Sequence, residues 1–418
     1  MKAINNTTPV LILSCRIGGL SIMRSLGSLG VAVYGIDAKK SSPALKSKYC
    51  TAWFLKEYDR NNEHDYLDYI INIANNEIIN KSDNKIILIP TSDELSIFAA
   101  KYIEELSPYF IYPGNSAALM DDLADKRKMF GIATEHNVPV PHTSFPQNVN
   151  DVAETADKIM FPVMLKAIDG QVMHARYGKK MVIVSNKEEL IENYKSLEDP
   201  VTPNTMIQEL IPGDDDQVYI YNGYFNKDSD ALISFTGHKI RQFPVHVGCA
   251  SLGECRWHQR VADKTRALMK AVGYQGILDI GYRLDPRDNQ YKVLDINPRV
   301  GQAFRLFLAE NGMDVIRSLY LDLTGQPQQE SKPREGRRWL IEDYDIVSSL
   351  NYYKEGSLGF FEWLRSYRGV EEAAWFSWKD PKPFLVVATR FTKKALFWIY
   401  KTIISSIPFV NKTLKAHN

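Results

Sequence analysis

Short apolar runs set between helically spaced segments constrain the first hundred residues most. Pro9-Val-Leu-Ile-Leu13 and Ile86-Ile-Leu-Ile-Pro90 have no polar interior position and are too short for buried helices, so they read as strands covered on both faces. Gly30-Val-Ala-Val-Tyr-Gly-Ile-Asp37 is a third strand, ending in an acid, and Leu20 to Leu29 carries helical spacing between the first two strands in chain order. Strands alternating with helices make a parallel sheet with right-handed crossovers. Ligands of such sheets sit beyond the strand C-termini. Ser14 to Gly19, Asp37 and Ser92 to Glu94 therefore border a candidate cleft. Gly18-Gly19 lacks the full glycine set of a dinucleotide fingerprint, which makes an NAD-dependent oxidoreductase the weaker alternative.

The texture changes near Asp121. A charged helix, Asp121 to His136, contains Lys126, and Val138-Pro-Val-Pro141 interrupts the chain. A run of short strands follows, then a hairpin, Gly276 to Leu284 and Tyr291 to Pro298, joined by Asp285-Pro-Arg-Asp-Asn289. Alternate strand residues share a face, so Asp295, Asn297 and Arg299 point one way and Leu294, Ile296 and Pro298 the other. Carboxylate and amide oxygens suit Mg²⁺, which is commonly held by few protein groups plus phosphates. A guanidinium beside them suits a phosphate. Asp279, on the partner strand, supplies a second carboxylate. Lys166 ends the apolar strand Pro162-Val-Met-Leu-Lys166, a costly place for an ammonium without an anionic partner. Gln208 and Glu209 offer hydrogen bonds to an adenine edge beside the backbone of Leu210 and Ile211, and Asp216 suits ribose hydroxyls. Lys239 and Arg241, alternating on one strand, are candidate clamps for a phosphate or carboxylate.

Composition limits the function classes. Lys plus Arg total 51 and Asp plus Glu 50, so no basic footprint for nucleic acid exists. At 44% apolar and 24% charged residues over 418 positions, a wholly disordered chain and a coiled coil are excluded. The four cysteines have no CxxC spacing, consistent with a reducing, cytoplasmic setting and no zinc site.

The order Lys126, Lys166, Gln208-Glu209-Leu210-Ile211, Asp216, Asp279 and Asp295-Ile-Asn-Pro-Arg299 resembles the ATP-grasp superfamily, within it the carbamoyl-phosphate-synthase and D-aspartate-ligase type of carboxylate–amine ligase. The resemblance covers roughly residues 8 to 325. It implies a Rossmann-like domain at 1–118, a two-lobed ATP-grasp domain at 119–325 and an extension at 326–418. It implies ATP with Mg²⁺, or Mn²⁺ in its place, and small-molecule carboxylate and amine substrates joined through an acylphosphate. By that likeness Lys126 and Lys166 meet phosphates, Gln208, Glu209 and Ile211 frame adenine, Asp216 holds ribose, Asp279, Asp295 and Asn297 bind the metal, and Arg299 stabilises the transferring phosphoryl. The sequence departs from the pattern in having Asp295 where Glu is usual, Gly281 where a metal acid often stands, and only Gly170 and Gly178 in the loop from Ile168 to Lys180. A non-catalytic nucleotide-binding protein is the rival those departures suggest.

The extension is rich in aromatics, and from Pro381 onward it has seven Lys or Arg and no acid. A helix over 384–407 would place Arg390, Lys394, Lys401 and Ser405 on one face with apolar residues on the rest, the profile of peripheral contact with an anionic membrane face.

Overall fold

The computed structural model describes residues 4–79, 84–168, 181–199 and 203–393. The apolar runs form a parallel five-stranded sheet in the order β3-β2-β1-β4-β5, with β1 Val10–Leu13, β2 Val33–Asp37, β3 Ala52–Leu55, β4 Ile86–Pro90 and β5 Phe110–Ile111. β1 sits between β2 and β4 and is fully buried, as its lack of polar residues requires. The strand C-termini point at the rest of the molecule. Ser92 caps the helix Asp93–Lys101 after β4, fixing Asp93 in its first turn. Asp37 acts locally. Its Oδ2 accepts from the Cys15 N–H at 3.1 Å and its Oδ1 from that of Lys39 at 3.0 Å.

Two further sheets follow. β6 Thr143–Ser144, β7 Val163–Ala167, β8 Met181–Val184 and β9 Thr205–Glu209 form a four-stranded antiparallel sheet in the order β6-β9-β7-β8. A seven-stranded sheet runs β14-β13-β10-β11-β12-β15-β16, from β10 Val218–Phe225, β11 Ala231–Phe243, β12 Cys249–Cys255, β13 Gly276–Asp285, β14 Gln290–Asn297, β15 Arg338–Leu340 and β16 Val370–Ala373. Its two faces follow the period of two. Leu278, Ile280 and Tyr282 pack with Val293 and Ile296 under the helices Lys126–Glu135 and Gln259–Val272. Ile220, Phe235 and Ile277 face the other way and share a core with the helix Ile17–Gly27 and with Val300, Phe304 and Phe307. The parallel-sheet domain and the large sheet are thereby joined through one apolar interior.

The extension is part of this framework. β15 pairs with β12, and the helix Glu342–Lys354 packs on β11 and β12. Trp339 is fully buried and Trp375 nearly so. Buried ion pairs tie it down: Arg24 Nε to Asp380 Oδ2 at 3.1 Å, and Arg241 to Asp345 through Nε–Oδ1 at 2.9 Å and Nη2–Oδ2 at 2.8 Å. Of the anticipated helix over 384–407, residues 382–393 are helical and the remainder lies outside the described residues. Phe384 and Val387 pack on the core and Arg390 donates to the Ser41 carbonyl, while Leu385 stays exposed. No helix among the described residues is long and apolar enough to cross a membrane.

Removing one member of a buried ion pair strands the other. Asp345→Ala is expected to cost about 3–5 kcal/mol in urea unfolding, and Arg241→Met combined with Asp345→Leu far less, because no charge is then left buried.

Candidate active site

The site forms where the two later sheets face each other near the C-terminal edge of the first. The hairpin register sets Asp279 opposite Asn297 and Gly281 opposite Asp295. Lys126 is the first residue of a helix capped by Asp125, a position where the helix dipole disfavours a cation. Its ammonium is held by Asp295, Nζ to Oδ1 at 2.6 Å. Asn297 Nδ2 donates to the other oxygen of Asp295 at 3.3 Å, and Arg299 Nη2 donates to Asn297 Oδ1 at 2.8 Å. Arg299 also spans to the first domain, with Nε 2.7 Å from Asp93 Oδ1. Lys126, Asp295, Asn297, Arg299 and Asp93 are thus one continuous chain.

Lys166 approaches from the four-stranded sheet and donates to Gln208 Oε1 at 2.9 Å. Burial, with Lys126 and Lys239 nearby, pushes its ammonium down to about 8 against the pull of Asp295. Lys239 is lowered chiefly by burial and donates to the Gly248 carbonyl at 2.7 Å and Gln242 Oε1 at 3.2 Å. Burial opposes ionisation of Asp295, but Lys126 outweighs it and holds the carboxyl below its usual range. Asp279 goes the other way: burial pushes it up to about 6, against Arg299 and Lys239. Gly301 passes so close to it that a Cβ there would lie 2.2 Å from Asp279 Oδ2.

The donor set fits a divalent cation. Asp279 and Asp295 lie on adjacent strands beside the Asn297 amide, and the neighbouring Asn222 is fully buried with its Oδ1 unpartnered. No cluster of three or more His, Cys, Asp or Glu exists among the described residues, so any ion held here needs ligand oxygens as well.

Several expected residues are engaged elsewhere. Arg241 does not join Lys239. The β11–β12 register shifts on both sides of Arg241, and this bulge breaks the two-residue period. Arg241 turns to Asp345, and Gln242 takes the place beside Lys239. Glu209 faces away from Gln208, as adjacent strand residues must. Its carboxylate is taken by Arg287 Nη2 at 2.6 Å, Lys292 Nζ at 3.1 Å and the His142 N–H at 2.8 Å, which leaves it no adenine edge to read. Leu210 and Ile211 lie just past the end of β9, and Ile211 is buried. Asp216 is exposed and lines a separate groove of about 430 Å³ with His238, Glu254 and Arg256. Its neighbour Asp215, one of three acids near Lys239 with Asp279 and Asp295, accepts from Gln242 Nε2 at 2.9 Å. The loop 169–180 lies outside the described residues. Sequence reasoning placed Asp93 at the border of a candidate cleft without giving it a role, and it missed Asp215, Asn222 and Gln242. Asp93 alone carried a signal, its place after an apolar strand.

Two outcomes follow from Asp279. Its acid is near 4 in the unfolded chain and about 6 in the native one, so the native state binds more protons in that window and stability falls as pH rises through it. Asp279→Asn is expected to exceed the parent protein in urea stability by on the order of 2 kcal/mol at pH 8, the difference closing toward pH 4. Gly301→Ala drives a methyl into that carboxylate and is expected to lower stability by about 1–3 kcal/mol in the same melts.

With this geometry, likenesses to known proteins can be compared. No protein-family model matches the chain. It is 25% identical over 288 residues to D-aspartate ligase of Enterococcus faecium (strain Aus0004), covering 66% of this chain and 67% of that one. It is 21% identical over 275 residues to the carbamoyl phosphate synthase arginine-specific large chain of Halalkalibacterium halodurans, covering 64% of this chain but only 25% of that protein. Among solved structures, N5-carboxyaminoimidazole synthetase of Staphylococcus aureus complexed with ADP aligns with a TM-score of 0.62 at 12% identity, over 85% of this chain and 88% of that one. L-amino acid ligase of Bacillus licheniformis aligns with a TM-score of 0.57 at 15% identity, over 80% and 79%. These structural likenesses speak to fold, and the sequence relatives point the same way: the chain has the ATP-grasp fold and is similar in sequence to carboxylate–amine ligases of that superfamily.

Proposed function

We propose that this protein uses ATP to join a small carboxylate to an amine through an acylphosphate. The observation that carries the reading is the chain from Lys126 through Asp295, Asn297 and Arg299 to Asp93, faced by Lys166 across the cleft. Lys126 and Lys166 neutralise nucleotide phosphates, with adenine at the Gln208 to Ile211 end of β9. Asp279, Asp295 and Asn297 hold Mg²⁺, which supplies further positive charge to the phosphates. The substrate carboxylate attacks the γ-phosphorus, ADP leaves, and the amine then attacks the acyl carbon and expels phosphate. Arg299 and Lys239 stabilise the negative charge of the phosphoryl group in both steps. Positioning and charge supply the catalysis, so no enzyme nucleophile is needed.

ADP release from Mg-ATP with pooled carboxylates, each pool run with and without pooled amines, checks this. Turnover is expected to require both pools and to fall about 100-fold or more in Lys166→Ala. Absence of Mg-ATP binding to the parent protein would overturn the reading. Tight binding with no turnover from any pool would favour the non-catalytic alternative or a macromolecular acceptor.

A membrane- or glycan-linked acceptor at the inner face of a membrane extends the proposal. The feature supporting it is the extension, where Phe361 is 73% and Trp378 is 88% exposed and no acid follows Asp380. The full chain is expected to pellet with phosphatidylglycerol vesicles and be released by salt, at about 1 kcal/mol per basic side chain near the surface. Failure to pellet with the anionic vesicles would remove the membrane from the account.

A further inference from the structure

The extension also reaches Lys239. Tyr352, on the helix Glu342–Lys354, is 6% exposed, and its hydroxyl meets three segments. It donates to the Asp215 carboxylate and accepts from the N–H groups of Gln242 at 3.3 Å and His246 at 3.2 Å. One turn earlier, Ser348 Oγ donates to the Gln242 carbonyl at 2.8 Å. The helix therefore holds Gln242 by both backbone groups.

The Gln242 side chain, 2% exposed, completes the path. Its Nε2 donates to Asp215 Oδ1 at 2.9 Å and its Oε1 accepts from Lys239 Nζ at 3.2 Å. The second acceptor on Lys239 is the Gly248 carbonyl, at the end of the loop that carries His246. Both acceptors that seat the ammonium thus lie on segments bonded to one hydroxyl. A half-buried ammonium is held in place only where its acceptors are fixed. The bulge at Arg241 makes the arrangement possible, since it commits Arg241 to Asp345 on the helix and returns Gln242 to the cleft.

We propose that Tyr352 is a positioning residue, which through Asp215, Gln242 and the 244–248 loop seats Lys239 for its charge-stabilising work. The consequence for catalysis rests on the ligase reading above, but the seating itself is a property of the unliganded protein.

Competitive acetylation of the full chain at fixed pH, read lysine by lysine by mass spectrometry, tests it. In the ligand-free protein, Tyr352→Phe and Gln242→Ala are each expected to speed labelling of Lys239 about fivefold, the size of one hydrogen bond. Lys166 is expected to keep its rate, and the double variant to go no further than either single one, because both act on one path. An unchanged Lys239 rate in Tyr352→Phe would overturn the proposal. An equal rise at Lys166 would also overturn it, by showing general loosening. Should Tyr352→Phe fail to fold, Gln242→Ala against the parent protein decides alone. A parallel arm asks whether Mg-ATP protects Lys166 in the parent protein. Failure there counts against the nucleotide reading and leaves the ligand-free comparison intact.

Discussion

The ion pairs Lys126–Asp295 and Arg299–Asp93, bridged by the Asn297 amide, are the interaction on which the site depends. The charged members sit where the fold alone would disfavour them: a lysine at a helix N-terminus, and an acid and an arginine four residues apart at and just past the end of β14. Together they satisfy one another and anchor to Asp93 on the first domain. The ion pairs thereby fix where the hairpin end stands relative to the parallel sheet, and the shared apolar interior keeps that distance. A cleft built this way presents positive charge from three directions with two carboxylates between. That suits a polyphosphate with its cation better than a neutral ligand.

Much of this was legible in the sequence because the relevant signals are local. The fully apolar runs of β1 and β4, the turn-rich link between β13 and β14, and the lysine ending β7 each carry their meaning within a few residues. What escaped depended on partners far along the chain. Nothing near Glu209 announces that Arg287 and Lys292, brought back by the β13–β14 turn, will occupy its carboxylate. Strict alternation placed Arg241 with Lys239, and a one-residue bulge, set by pairing with β12, reversed that face. The short helical turn Asp215–Gln217 likewise decides which of two adjacent acids faces the cleft.

The extension shows the same limit at larger scale. Its aromatic content alone does not say where it sits; Trp339 and Tyr352 are interior, because β15 joins the large sheet and brings a helix over it. Its charges are sorted between buried pairs with Arg24 and Arg241 and the exposed Lys382, Arg390 and Lys393. A segment beyond the span of the family resemblance is therefore bonded to strands that carry the site.

The central claim is that phosphoryl transfer to a carboxylate precedes capture by an amine. Hydroxylamine, a small nucleophile in place of the natural amine, tests this most directly. With Mg-ATP and a carboxylate pool that supports turnover, the account predicts hydroxamate formed in step with ADP. ADP release that depends on the carboxylate but yields no hydroxamate would contradict it.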